Sequence, residues 1–569
     1  MRVASAQGAA LIEPKSKTRI LPWRLGLILF ACLLWCGGAL GEENPPAQVA
    51  RISYLDGNVS FLPAGQDQWS LATLNFIVTN GDRIYTEVGA RAEIDAGIYT
   101  VRLADDTELA ITRLDEKVMQ LGLERGTIRV IVHRLPSDNT VEIDTPNAAL
   151  TVLEPGSYRV DKDEDDNSTL VRVDRGRLEV SAGEVTQDIK AGHAVQVTGP
   201  DPADVTPVEM PSSDSFDEWS EKRDQRLASS RSERFVSTST PGYAELDAYG
   251  RWEDIAEYGP VWFPPVPVGW VPFRFGHWAW IDPWGWTWIE DEVWGFCPFH
   301  YGRWVLVGGV WGWLPGPIVL TPVYVPAVVA FLGGPHFSVG LEVGLVGWFP
   351  LGPAEPFFPW YHYSFEYLQQ VNITNIRNVT NITNILNETN INNIHYKYRT
   401  IATTAVPASV LSNGEPVSKH VVHLSPEQLS KAQVVPHPPV NPTPRAVAPG
   451  RPVSPPPAHA IRSVARSRPV PLHPPHPVPP VTRTPMNPER HGLVTRVPPP
   501  VRPLSFPEMR RALANHPGRP LEPQQLENLR AGRPPGPIRD REFPPHPAPI
   551  IPEKLAVPAP GPPHNVRVR

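Results

Sequence analysis

The stretch from Trp252 to Trp313 limits what this chain can fold into more than any other part of it. Twelve of the 18 tryptophans fall in those 62 residues, set among Gly, Pro, Phe and Tyr. An ordinary core does not need indoles at that density. Such a block is either a small all-β module stapled by its indoles or an aromatic surface that stacks on a ligand. It also echoes itself. Pro272, Phe273, Phe275, Gly276 and Trp278 return 26 positions later as Pro298, Phe299, Tyr301, Gly302 and Trp304, and Gly285-Trp286 returns after 27 as Gly312-Trp313. The echo predicts one short β unit used twice.

Alternation at Trp278/Trp280 and Trp286/Trp288 puts each pair on one face of a strand. Aromatic pairs facing each other across strands stabilise a sheet. Gly and Pro between them supply the turns. Most of the indoles are therefore expected to build core. Trp is rarely buried completely, so a few rings are expected at the surface, and exposed apolar patches mark interaction sites. The expected ligand-binding face is Trp278, Trp280, Trp286, Trp288, Tyr301, Arg303 and Trp304. Its indoles would stack on sugar rings or on a protein partner, with Arg303 as a cation–π neighbour. Paired carboxylates can hydrolyse glycosides, but Glu290, Asp291 and Glu292 share one turn, as solvated acids do, and only Asp282 stands apart. His277, His300 and His336 lack metal-ligand spacing. No enzymatic activity, metal or cofactor is expected.

The N-terminus predicts export. Lys15, Lys17, Arg19 and Arg24 precede an apolar run from Leu25 to Trp35, and Ala39-Leu40-Gly41 offers small residues for cleavage. Residues 1–41 thus read as a secretory signal, or as an uncleaved anchor if Ile20 to Leu40 is counted as one span of about 20 residues. The expected location is the periplasm or cell surface. Cys32 and Cys36 lie in that segment, which leaves Cys297 as a packed small hydrophobe.

Of the 71 prolines, 36 fall in residues 440–569. That composition predicts a disordered tail over 400–569, except for helix-forming segments at Pro507–Asn515 and Leu521–Ala531, each closed by a glycine. The segment 440–569 carries 19 Lys plus Arg against 7 Asp plus Glu, while the whole chain is −7. A cationic tail on an anionic body predicts electrostatic contact with an anionic polymer, a membrane surface or the body itself. Nothing points to nucleic acid.

Residues 47–200 predict an all-β domain, a sandwich or a solenoid-like fold, from short apolar alternations every 8–12 residues or so. Within it, Asp161 to Asp166 reads as the solvated tip of a hairpin. A run of motifs follows in order: Gly57-Asn58-Val59, Gly81-Asp82-Arg83-Ile84-Tyr85-Thr86, Ala90-Arg91-Ala92-Glu93-Ile94, Leu103 to Leu109, Leu121 to Gly126, Thr145-Pro146-Asn147-Ala148, Val173 to Leu178 and Ala191-Gly192. On these motifs the segment resembles the FecR domain, best known as the periplasmic part of regulators that control a sigma factor across the membrane. The resemblance implies an extracytoplasmic β module that senses or binds a partner. Only about 20 residues precede the apolar segment, too few for a cytoplasmic domain, so transcriptional signalling is not carried over.

Residues 201–243 read as a polar linker with a helix from Phe216 to Leu227. From residue 244 to 360, Tyr258-Gly259-Pro260-Val261-Trp262 and His300-Tyr301-Gly302-Arg303-Trp304 appear in order. Here the chain resembles an uncharacterised bacterial family, domain of unknown function 6600, which implies no activity. Residues 371–395 then repeat in threes, with Asn at 372, 375, 378, 381, 384, 387, 390 and 393. Period 3 fits neither helix nor half-buried strand. Stacked Asn ladders could drive homo-oligomerisation. The sequence therefore predicts a mainly β, non-enzymatic envelope protein that binds an envelope glycan or protein through its aromatic module, with self-assembly or FecR-type sensing as alternatives.

Overall fold

The structure is a computed structural model, and it describes residues 44–163, 167–199, 203–334, 337–339, 343–376, 391, 394–448, 450–456, 468–469, 493–498 and 500–535. The predicted signal at 1–41, residues 164–166 of the expected hairpin tip at 161–166 and most of the Asn triplets lie outside them, whereas 161–163 end the strand Gly156–Asp163.

The chain is mainly β, as predicted. Strands from Ala50–Asp56 to Asp204–Val208 join into a network of 17 strands. One 15-residue strand, Val118–Val132, organises it. Its first half pairs with Thr107–Leu114 and, in parallel, with Thr140–Asp144. Its second half pairs with Tyr99–Leu103 and Gly156–Asp163. The strand thus belongs to two layers, and inward side chains from both, such as Val101, Val130 and Val160 from one and Leu121, Ile143 and Leu178 from the other, share a single core. Period-2 alternation fixes this register, because a slip of one residue would turn every valine outward.

The outward face of one layer is polar and covered. The helix Ser215–Ala228 lies over it, close to the predicted Phe216–Leu227. Its start is set by a capping box in which Asp214 accepts from the Phe216 and Asp217 amides and Asp217 accepts from the Asp214 amide. This part of the expected linker is therefore packed on the β domain.

The aromatic module begins with a four-stranded sheet in the order Arg251–Ile255, Gly259–Phe263, Val310–Leu314, Arg303–Val307. A separate hairpin is formed by Gly276–Ile281 and Gly285–Glu290. Trp278 faces Trp288 and Trp280 faces Trp286 across it. In the second hairpin Trp304 faces Trp313. The hairpin is thus used twice, with the first strands matching at the expected 26 residues, but the second strands match at 25, Trp286 with Trp311 and Trp288 with Trp313, and not at the expected 27.

The first part of the tail departs from expectation. Residues 404–448, read as part of a disordered tail, supply structure to the module. Thr404–Pro407 pairs with one edge of Val343–Pro350, and Gln433–Val435 pairs with Val329–Gly333. An edge strand needs cover, and these short additions give it. The two helices expected further on are present as Phe506–Ala514 and Pro523–Arg530. Phe506, Met509 and Leu513 bury one face of the first in the shared core. Composition alone misses such segments because their anchors are few, and each uses a surface that another part of the chain provides.

Candidate functional site

All seven residues expected to form a binding face are buried. Trp278, Trp286, Trp288 and Trp304 are at 0% relative exposure, Arg303 at 1%, Trp280 at 2% and Tyr301 at 4%. The indoles pack edge to face: Trp278–Trp288 at 5.4 Å and 73°, Trp280–Trp286 at 5.3 Å and 89°, Trp278–Trp348 at 5.3 Å and 81°. Such geometry adds about 0.5–1.5 kcal/mol per pair beyond burial. The expected stacking face is therefore corrected, and the reason lies in the tail. The outer side of the first hairpin is covered by residues that sequence composition had assigned to a disordered segment. Trp286 donates through Nε1 to the Val440 carbonyl at 3.0 Å. A Cβ on Gly414 would meet the Trp278 carbonyl oxygen at 3.3 Å, and one on Gly285 would meet the Pro520 ring at 3.1 Å.

Arg303 is a brace and not a cation–π partner. Its guanidinium donates to the carbonyls of Glu355 (2.9 Å) and Gly302 (2.8 Å) and to Asn372 Oδ1 (3.2 Å). Burial pulls its pKa down to about 9. Asn372, the first of the triplets, lies in the helix Phe365–Ile373 and is buried. Asn375 accepts from the Gly302 amide and donates to the Val323 carbonyl, both at 2.9 Å. These two asparagines tie the module together and are not free for an intermolecular ladder.

The candidate acids and histidines assemble no reactive centre. Glu290 is buried, takes the Trp288 indole N–H at 2.8 Å and is pushed well above the carboxylate range by burial. His300 is buried, and its Nδ1–H donates to the Val325 carbonyl at 2.8 Å. Among the described residues no group of His, Cys, Asp and Glu could hold a metal ion. Burial pushes the His300 pKa down to about 3. Its folded value is below the unfolded one, about 6.5. As pH falls from about 6.5 to 3, the unfolded chain binds a proton that the folded chain refuses. Stability is therefore lost toward acid, on the order of 5 kcal/mol at full extent. The imidazole 15N shifts of His300 are expected to stay those of the neutral ring down to about pH 4. A midpoint near 6 would contradict this reading.

The open surface lies elsewhere. A shallow groove with a cavity volume of about 20 Å³ is lined by Tyr301, Trp313, Pro315, Pro317, Pro322 and Thr374, among others. Tyr301 is the only one of the seven expected residues on its lining. Ile318 (58% exposed) and Leu320 (75%) lie on the loop between its prolines, and Ile373 (44%) directly precedes Thr374. Arg134 holds the loop by donating to the Leu320 carbonyl at 3.1 Å. The sequence signal for this site is the pair Pro317 and Pro322 after Gly316, which is weak beside the tryptophans.

Residues 82–197 match the family described as FecR protein, and residues 243–355 match a family of unknown function, DUF6600. Both resemblances read from the motifs are thereby shown, with the FecR-like strands extending beyond the matched span at either end. No curated protein matches. Two crystal structures of a putative anti-sigma factor from Parabacteroides distasonis ATCC 8503 are similar to part of the chain. One is 18% identical over 22% of this chain and 59% of that one, with a TM-score of 0.20. The other is 15% identical over 26% and 60%, with a TM-score of 0.17. The chain thus spans about three fifths of those proteins. Among the described residues no helix is long and apolar enough to cross a membrane.

Proposed function

We propose that this is an exported, non-enzymatic cell-envelope protein with a FecR-type regulatory or sensing role, whose aromatic module binds a protein partner. The FecR match at 82–197 supports the sensing half. One observation carries the binding half: every expected indole is buried, while Ile318, Leu320 and Ile373 stand exposed beside the proline-lined groove. Sugar stacking needs an open ring face, and those indoles have none. Apolar side chains around a groove suit a protein surface instead.

The test uses the full mature chain and the double variant Ile318→Asp/Leu320→Asp. Both positions are exposed, so the variant is expected to unfold within a degree or two of the parent. Immobilised parent is expected to capture a component of envelope extract that protease pretreatment removes and muramidase pretreatment does not. Recovery by the variant is expected to fall at least tenfold. Capture that survives protease and is lost to muramidase would return the reading to a glycan.

A further inference from the structure

Four arginines on adjacent strands of the FecR-like domain stand directly opposite one another. Arg102 faces Arg129, Arg129 faces Arg159, and Arg159 faces Arg172. With strands about 4.8 Å apart, the row is roughly 15 Å long. Like charges in facing positions destabilise a sheet, so the row needs carboxylates. The sheet itself supplies three. Glu93 pairs with Arg102 at 2.7 Å, Asp174 with Arg129 at 2.7 Å and Asp161 with Arg159 at 2.8 Å.

The helix Ser215–Ala228 supplies the rest. Asp217 reaches three rungs: Arg129 at 2.7 Å, Arg159 at 2.9 Å and Arg172 at 3.1 Å. Asp214 meets Arg159 at 2.8 Å and Asp224 meets Arg102 at 2.7 Å. The helix also returns a cation, since Arg223 pairs with Glu93 at 2.6 Å. Its apolar hold is small by comparison. Of its 14 residues only Phe216, Asp217 and Ser220 are buried. Trp219 adds a half-buried ring against Tyr54, 5.4 Å between centroids. This helix is fastened mainly by charge, whereas the strands beneath it are fastened by a shared apolar core.

We propose that the arginine ladder is a docking site for an acidic peptide helix of a partner protein, and that Ser215–Ala228 is its resident, displaceable occupant. The pattern a partner must present is the one the resident shows: carboxylates at the spacing of Asp214, Asp217 and Asp224, an aromatic ring at the place of Phe216 and a cation at the place of Arg223. That last requirement separates a peptide from an all-anionic polymer. Glu93, Asp161 and Asp174 are interleaved with the arginines and repel a uniform polyanion, whereas a helix carrying one cation satisfies Glu93. The outer pairs open to water, with the Asp214 side chain 47% and the Asp224 side chain 23% exposed, and salt screens such pairs while leaving the apolar core untouched, which makes the latch separable from the fold.

Two measurements test this on the full chain. In the unaltered protein, hydrogen exchange of amides 218–228 is expected to speed up at least tenfold between low and 1 M salt while the strands Val118–Val132 and Gly156–Asp163 stay protected. If helix and strands exchange together at both salts, there is no latch. In the second, a fluorescent peptide of residues 212–230 is added in trans to the parent and to Asp214→Asn/Asp217→Asn/Asp224→Asn. The triple variant is expected to bind it at least tenfold more tightly than the parent, and adding Arg129→Gln and Arg159→Gln is expected to abolish the gain. Equal binding to parent and triple variant overturns the proposal. So does tighter binding of heparin than of the peptide, which would mark a general polyanion surface.

Discussion

Ending the chain after residue 400 is expected to leave it without a cooperative native state. The truncation removes Val406, Val410, Leu411, Val417, Val434, Phe506, Met509 and Leu513, all buried in the core shared with the indoles. At about 1.5–3 kcal/mol for each fully buried large apolar side chain, the gross loss is on the order of the 5–15 kcal/mol that holds a typical domain folded. It also strips the cover from Trp278 and Trp286 and leaves the edges of Val329–Gly333 and Val343–Pro350 unpaired. The expected result is a red-shifted tryptophan emission, binding of a hydrophobic dye and recovery mostly in aggregates. A truncated chain with the parent's emission maximum and a sharp melting transition would show that the tail is dispensable.

The second large effect is expected at Arg51. Its side chain is fully buried where three pieces of the chain meet. It pairs with Glu245 at 2.8 Å and Asp95 at 3.3 Å, donates to Asn75 Oδ1 at 2.8 Å and lies over the Phe296 ring. Asn75 in turn donates to the carbonyls of Glu290 and Glu292. The FecR-like domain and the aromatic module are thus joined through one guanidinium and its neighbours. Arg51→Gln leaves two carboxylates facing each other without a cation, and breaking a buried pair in this way costs about 3–5 kcal/mol. Burial and the charge of Glu245 already hold Asp95 above the usual carboxylate range with Arg51 present. Without Arg51 the folded pKa rises further above the unfolded value. The folded variant then binds more protons than the unfolded chain, so its deficit is expected to shrink as pH is lowered from 7 to 5. Denaturant melts of parent and variant at both pH values check this. A deficit under 1 kcal/mol, or one that grows toward acid, would contradict it.

Much of the fold was legible because its signals are local. Alternating valines between Val101 and Val180 give the strands and their faces, and the indole spacing gives Trp278 opposite Trp288 and Trp280 opposite Trp286. Asp214 and Asp217 mark the start of the helix that follows. What was not legible is complementarity between distant segments. The Thr404–Pro407 and Phe506–Ala514 segments look unremarkable beside so much proline, and they gain order from the surface they cover. The candidate site suffered from the same gap. Whether Trp286 faces solvent is decided by the residues around Val440, and whether Arg303 meets a ligand is decided by Asn372 and Glu355. Ile318 and Leu320 are ordinary aliphatic residues in the sequence, and only the loop between Pro315 and Pro322 makes them a surface.

The cover on the tryptophan hairpin has a consequence in time. The Trp286 N–H finds its acceptor 154 residues further along the chain, and Gln120 finds the Val497 carbonyl after 377. A chain that emerges N-terminus first can close its FecR-like strands early, because nearly all of their partners are near. The indoles must wait. Contacts of such long range are slow to form, and apolar surface left open in the interval is prone to aggregate. During synthesis the aromatic module is therefore the part most in need of a chaperone, and that need ends only when the proline-rich segments arrive.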